Sequence, residues 1–555
     1  MSSIDWIVLF TTLTVIIVYG IYKSRATKNL EGYFLSNRSM PWYLVLLSIM
    51  GTQASAITFL SAPGQAYTDG MRFVQYYFGL PLAMIIICIV FVPIFRKLKV
   101  YTAYEFLENR FDLKTRTFTS FLFQLSRGLS TGISIYAPSL ILSSLLGWNI
   151  HLTNIIMGGL LIIYTVSGGA RAVAYTQKLQ LIIIIIGMAI AGYMVVHLMP
   201  ADIGFAEALQ IGGDNNKMNV ITSGMTDTGF NWKDKYNIWS GVIGGLFLAL
   251  SYFGTDQSQV GRYLTAKDDK ESKLGLLING LVKIPMQFLI LMIGVLVFAF
   301  YQNNKEPIYF NDTQINAAKS TIKKDSLISL ENQYSLIAVS NDPNSYNEQK
   351  ATIKKQYKDV LKRALPGEDV NDTNYIFLRF VIDYLPKGLV GLLIAVIFLA
   401  AWGSIAAALN ALASCTVVDI HKKFINKELT EKMDYKISKL YTLLWGIFCI
   451  AVAEFASNLG NSLIETVNIL GSLFYGVILG IFLVAFWIKQ IKGHAVFYAA
   501  LISELLVIII YKADIISFLW LNVIGALLVI IIGIIFQLFF TAADQRKIKT
   551  PPQNY

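Results

Sequence analysis

The side chains best suited to chemistry in this 555-residue chain are small, neutral oxygen carriers set inside apolar runs. The run LVLLSIMGTQASAITFLSAPG holds Gly51, Thr52, Gln53, Ser55 and Thr58 at its middle. The run AAWGSIAAALNALASCTVVD sets Ser404, Asn410 and Ser414 among alanines. Hydroxyls and backbone carbonyls are hard oxygen donors, matched to a small hard cation such as sodium. A helix so poor in bulky side chains frays easily, and its freed carbonyls can face a cavity. Close packing of small residues between helices explains the same composition. A third run, NIWSGVIGGLFLALSYFGTD, carries Gly241, Gly244 and Gly245. Interrupted helices at matching places in two halves mark an inverted-repeat transporter with a midplane site, so the pairing favours the functional reading. Lys283 stands inside LLINGLVKIPMQFLILMIG, where it needs a partner, a polar ligand or a snorkelling path to the interface.

Nothing in the sequence assembles a reaction centre, and the chain reads as a non-enzyme. The four histidines, His151, His197, His421 and His494, lie near helix ends and far apart. Cys88, Cys415 and Cys449 sit inside apolar blocks with neither metal nor disulfide spacing. No nucleophile elbow, HExxH pair or phosphate loop occurs. The net charge of +11 is spread over short stretches between apolar blocks, which suits lipid headgroups rather than nucleic acid.

The elements that must position these residues are membrane helices. The chain is 55% hydrophobic and 15% charged, against roughly 25% charged in soluble domains. Thirteen blocks are long and apolar enough to span, at 4–23, 43–61, 72–95, 115–146, 150–168, 175–199, 237–255, 276–301, 387–418, 438–457, 462–488, 493–511 and 515–540. The first has no basic flank or small-residue cleavage site and reads as a retained helix. Lys and Arg gather in alternate loops, among them Lys23, Arg25, Lys28 and Arg38, then Arg96 to Lys114, then Lys422 to Lys436 with Lys427, and the tail. The intervening loops, such as 62–71 and 458–461, are nearly bare. This asymmetry predicts an outside N-terminus and a cytoplasmic C-terminus in a plasma (inner) membrane protein. Two long segments, 200–236 and 303–374, fall outside; the second is polar, with helix-like stretches at 326–338 and 347–364, and reads as solvated filler, with a small lid as the alternative.

Four stretches resemble the sodium:solute symporter family, the group with bacterial sodium-galactose and proline symporters. They are GYFLSNRSMPWYLVLLSIM (32–50), YTVSGGARAVAYTQKLQ (164–180), FGTDQSQVGRYLTAKDDKES (253–272) and LNALASCTVVDIHKKF (409–424). SAITFLSAPGQAY (55–67) and YTAYEFLENRF (101–111) look most like the branch with iodide, multivitamin and monocarboxylate symporters. The resemblance implies an all-α membrane protein with a leucine-transporter-like five-plus-five inverted repeat. It divides the chain into an extra helix and loop at 1–42, a first repeat at 43–199, an external loop at 200–236, a second repeat at 237–488 and a C-terminal part at 489–555.

By the same resemblance the coupling ion is Na+. Its carbonyl donors fall at Gly51, Ala54 and Ala400, and its hydroxyl donors at Gly403 and Ser404. Gly403 departs from the serine common in the family. Gln177 departs from the aspartate that ends the family's WTD motif, here Tyr175, Thr176 and Gln177. That aspartate is associated with a second sodium or with ion release, so the expectation is one sodium per cycle. Tyr252 and Lys283 match a gating tyrosine and a sugar-contacting lysine. Ile57, Thr58 and Ala249 do not match the remaining sugar contacts, so the pocket is no copy of a sugar site. Thr58, Tyr252 and Lys283 are the substrate candidates. The expected partners are a small organic solute (carboxylate, vitamin or sugar), sodium and lipid, in a monomer or loose oligomer. The alternatives are an uncoupled facilitator and a transporter-derived sensor.

Overall fold

The computed structural model describes residues 1–24, 29–337, 343–426, 430–456 and 462–549. Arg25, Lys28, Lys427 and the bare loop 458–461, used above to read orientation, lie outside the described residues. Among the described residues the architecture is helical apart from one two-stranded hairpin, Met225–Thr226 with Gly229–Phe230, and an isolated bridge between Met40 and Ala266. The principal helices are α1 (Ser3–Ser24), α2 (Trp42–Gln53), α3 (Ala56–Asp69), α4 (Met71–Lys97), α5 (Leu113–Leu146), α6 (Ile150–His197), α7 (Gly245–Gly254), α8 (Gln257–Tyr263) and α9 (Asp269–Asn303). They continue with α10 (Leu389–Cys415), α11 (Glu431–Glu454), α12 (Leu463–Trp487), α13 (Gly493–Lys512) and α14 (Phe518–Lys549).

Thirteen spans were expected. Among the described residues ten helices are long and apolar enough to cross a bilayer, or eleven when α2 and α3 count as one bent crossing. The difference lies in two shorter apolar helices, Ile150–Val166 and Ser240–Gly254. The first is the front of α6, which breaks at Gly169, where φ is 61° and ψ is −179°. Only a residue without Cβ takes that backbone conformation at little steric cost.

Burial ranks the helices. In α10 and its π-helical extension, 89% of the apolar window is enclosed by protein, against 22% in α1 and in α14. The alanine-rich run therefore forms the central post, and the outer helices meet lipid with Ile and Leu. Polar side chains fix the helix ends. Asp5 of α1 accepts from the amides of Gly388 (2.6 Å) and Gly391 (3.2 Å), capping the start of α10. At the other end, Asp419 Oδ1 accepts from Arg116 Nε (2.8 Å) and Nη2 (2.5 Å) and from Thr102 Oγ1 (2.8 Å). Its Oδ2 accepts from Ser120 Oγ (2.9 Å).

The segment between α9 and α10 is not filler. Helices Asp312–Lys319, Lys324–Ser335 and Pro343–Ala364 close around a separate core that includes Tyr309, Leu327, Tyr357 and Leu361. Its anchor is buried Glu306, paired with Lys350 (3.2 Å) and Lys354 and accepting from Tyr334 Oη (2.8 Å). Glu306 also accepts from Tyr67 Oη on α3. Burial raises the Glu306 pKa, but Lys354 and Lys350 more than reverse this and hold the carboxyl at about 2. Glu306 therefore ties this subdomain to α3, the second half of the broken helix.

Candidate functional site

The run that holds Gly51 to Thr58 breaks where its composition is weakest. α2 and α3 meet at a 59° bend across Ala54 and Ser55. In an unbroken helix the Gly51 carbonyl would pair with the Ser55 amide and the Ala54 carbonyl with the Thr58 amide. Here the Ser55 amide turns to the Gln53 carbonyl (3.1 Å) and the Thr58 amide to the Ser55 carbonyl (3.0 Å). The carbonyls of Gly51 and Ala54 are thereby released from the helical ladder. Such freed acceptors cost several kcal/mol each in hydrocarbon, on the order of 2–7, unless a cavity or a cation meets them.

A cavity of ≈ 120 Å³ opens at this break. Thr52, Gln53, Ser55 and Thr58 line it from the broken helix, Tyr252 from α7 and Ser404 from α10. Ala54 is buried between its lining neighbours. Ser404 Oγ donates to the carbonyls of Ala400 (3.0 Å) and Ala401 (3.1 Å), which leaves its lone pairs for another ligand. The broken helix and Ser404 thus share one cavity, with neutral oxygens that suit a monovalent cation. Gly403 stands differently: it has no hydroxyl, and its carbonyl accepts from Gln177 Nε2 at 3.0 Å.

Three expectations change in structural detail. The glycines of 237–255 do not interrupt their helix. They let it approach the segment 71–77, since a Cβ on Gly241 would lie 2.2 Å from the Gln75 carbonyl oxygen and one on Gly245 2.6 Å from that of Tyr76. The interruption falls at Thr255 and Asp256, between α7 and α8, where Asp256 caps α8 through the Ser258 amide (2.7 Å). Asn410 donates to the Tyr33 carbonyl (3.4 Å) and accepts from Arg262 (3.3 Å), and is spent as a packing group. Lys283 is buried but lies outside the cavity lining; its Nζ sits 5.2 Å from the ring centroid of Tyr77, which does line it.

Sequence reasoning missed the most polar part of the cavity. Arg127, on α5, lines it beside Tyr252. Arg127 Nε donates to Ser258 Oγ (3.1 Å) and lies 3.5 Å from Asp256 Oδ2. Its Nη2 donates to Ser258 Oγ and reaches Tyr252 Oη at 3.4 Å. The guanidinium carbon stands 5.3 Å from the Tyr252 ring centroid, a cation–π contact. Asp256, 1% exposed, also accepts from Tyr475 Oη (2.8 Å). Arg127 Nη1 has no acceptor among the described residues. The rule that singled out Lys283, that an ionisable group in a membrane run is a site candidate, would have found Arg127 in block 115–146.

The sequence profile of the sodium:solute symporter family matches residues 33–324 and 355–503. The sodium/sialic acid symporter SiaT of Proteus mirabilis is 27% identical over 546 residues, covering 98% of this chain and 96% of that one. The human sodium-coupled monocarboxylate transporter 1 is 26% identical over 483 residues, covering 86% and 68%. A solved substrate-bound, outward-open structure of a Na+-coupled sialic acid symporter matches with a TM-score of 0.77 at 25% identity, covering 97% of this chain and 98% of that one. Fold, broken helix and relatives together define a multi-pass membrane protein that couples solute transport to sodium. The chain belongs to the sodium:solute symporter family.

Proposed function

We propose that this symporter carries a small organic carboxylate inward with one sodium ion per cycle. The observation that supports the carboxylate is Nη1 of Arg127, which has no acceptor among the described residues and belongs to a side chain that lines the cavity. The rest of the guanidinium is held by Asp256, Ser258 and Tyr252, so its one open nitrogen, with two N–H donors, has a fixed direction. A carboxylate accepts a charge-assisted bond there more strongly than a hydroxyl does. The names of the two relatives, for sialic acid and for monocarboxylates, point to the same class. Thr58 and Tyr252 would meet the substrate, and Lys283 would act behind Tyr77.

Sodium would be held by the carbonyls of Gly51, Ala54 and Ala400 and by Ser404 Oγ. Such an ion joins the broken helix to the central post. It shifts the balance between outward- and inward-open forms only by its differential affinity for them. A membrane potential supplies about 2.3 kcal/mol per charge per 100 mV toward accumulation. In this reading the two shorter apolar helices also cross, giving thirteen crossings, an outside N-terminus and a cytoplasmic C-terminus. The two five-helix repeats would be 43–199 and 237–488, flanked by 1–42 and 489–555, with 200–236 as an external loop.

The test is radiolabelled uptake into proteoliposomes across a panel of monocarboxylates, sialic acids and neutral sugars, with and without an inward sodium gradient. Sodium-driven accumulation of acids with exclusion of their amides is the expected result. Accumulation of neutral sugars in preference to acids would overturn the substrate assignment.

A further inference from the structure

The side chain of Gln177, on α6, is fully buried between the inner half of the broken helix and the central post. Its Oε1 accepts from Ser48 Oγ at 2.8 Å. Its Nε2 donates to Thr52 Oγ1 at 3.2 Å and to the Gly403 carbonyl at 3.0 Å. The orientation of the amide is fixed by chemistry, because a carbonyl only accepts and so only the NH2 end can face Gly403. Thr52 Oγ1 donates to the Ser48 carbonyl (2.8 Å), which leaves its lone pair for the amide. Every hydrogen-bonding atom in this knot is satisfied.

Two glycines make room for it. A Cβ on Gly51 would lie 2.9 Å from both Cβ and Cγ of Gln177, atoms too close to the α6 backbone to move aside. A Cβ on Gly403 would lie 3.3 Å from Gln177 Cγ and 2.6 Å from Gln180 Oε1. Gly403 and Gln177 are therefore steric complements. The Gly403 carbonyl is already used by the amide.

We propose that Gln177 is a positioning residue whose amide does the work of a bound cation: it ties the oxygens of α2 to the Gly403 carbonyl of α10 without any ion between them. The proposal rests on the reading that sodium binds at the break and Ser404. It deepens that reading by assigning one cation seat to this chain and naming what fills the neighbouring position. Replacing the NH2 by an oxygen of the same size would set a carboxylate against two acceptor oxygens about 3 Å away. Three oxygens so spaced repel one another unless a hard cation sits among them.

The experiment compares wild type, Gln177→Glu, Gln177→Met and Ser404→Ala as full-length protein, in two measurements. One is the sodium-dependent shift of the thermal unfolding midpoint in detergent, with choline as the control ion. The other is the sodium dependence of uptake in proteoliposomes. Wild type is expected to show a Hill coefficient near 1, and Gln177→Glu a coefficient approaching 2 with a larger sodium-induced midpoint shift. Gln177→Met, which has the length but no hydrogen bonds, is expected to raise the half-saturating sodium concentration at least fivefold and the substrate KM at saturating sodium less than twofold. A Gln177→Glu protein with the wild-type coefficient and shift overturns the proposal. Should that variant not fold, an unchanged half-saturating sodium concentration in Gln177→Met overturns it alone. Loss of every sodium effect in wild type, or a Ser404→Ala protein identical to wild type, overturns the underlying sodium reading instead.

Discussion

Arg127→Lys separates the substrate reading from a purely structural role for Arg127. The lysine keeps the positive charge that Asp256, buried to 1% exposure, requires. Arg127→Met would leave that carboxylate with only Tyr475 and Ser258 as donors, and an unpaired buried charge costs about 3–5 kcal/mol, enough to confuse folding with transport. Lysine has one nitrogen where arginine has three. Drawn to Asp256, it has no second nitrogen to offer a substrate in the place of Nη1. The expected loss is one charge-assisted hydrogen bond to the substrate, about 2 kcal/mol, or roughly a 30-fold rise in KM for an acid. The assay is uptake at saturating sodium, with each acid compared against its neutral amide. KM for the amide and the half-saturating sodium concentration are expected to stay within a factor of about three. An equal shift for acid and amide would show that Arg127 shapes the cavity without binding the carboxylate, and the substrate assignment would fail. The double variant Arg127→Met/Asp256→Asn removes both charges; it is expected to fold and to transport no acid.

Three further outcomes follow from named contacts. Ser404→Ala removes the hydroxyl proposed as a sodium ligand and is expected to raise the half-saturating sodium concentration about tenfold while leaving the order of substrate preference unchanged, read in sodium-activation curves. The Glu306 carboxyl, held at about 2 against 4.5, contributes about 3 kcal/mol to seating the 305–374 subdomain. Because the folded value is the lower, that stability is fully present above about pH 4.5 and lost as pH falls toward 2. Limited proteolysis of the subdomain between pH 6 and 3 should therefore accelerate in wild type, and Glu306→Gln should be cut quickly throughout. Asp419→Asn deprives Arg116 of a buried partner, leaving it Glu108 (2.5 Å), and is expected to cost about 3–5 kcal/mol as a lower thermal midpoint. An unchanged midpoint would show that this cluster carries no net stability.

What the sequence disclosed follows from which forces are local. The α2–α3 break was legible because fraying is a property of the run itself: Gly51 to Thr58 contains nothing bulky enough to hold one helix through lipid. The centrality of α10 was legible for the same reason, since alanine and serine tolerate close neighbours on all sides. The second break was misplaced because Gly241, Gly244 and Gly245 look alike whether they end a helix or admit another backbone, and the Gln75, Leu519 and Tyr76 carbonyls they admit come from far along the chain. Thr255 and Asp256 make the real break, through a side-chain cap that depends on Ser258. Lys283 was singled out as costly at membrane depth, but its nearest link to the cavity is the ring of Tyr77, which belongs to another element. The 303–374 segment was underestimated because its core is small and its anchor, Glu306, is paired with Lys350 and Lys354 from more than forty residues along the chain. Taken singly, Gly403 was read as a lost hydroxyl ligand and Gln177 as the loss of an aspartate tied to a second sodium or to ion release. Side by side, the amide and the bare backbone fit each other, and two apparent losses become one hydrogen-bonded junction between α6 and α10.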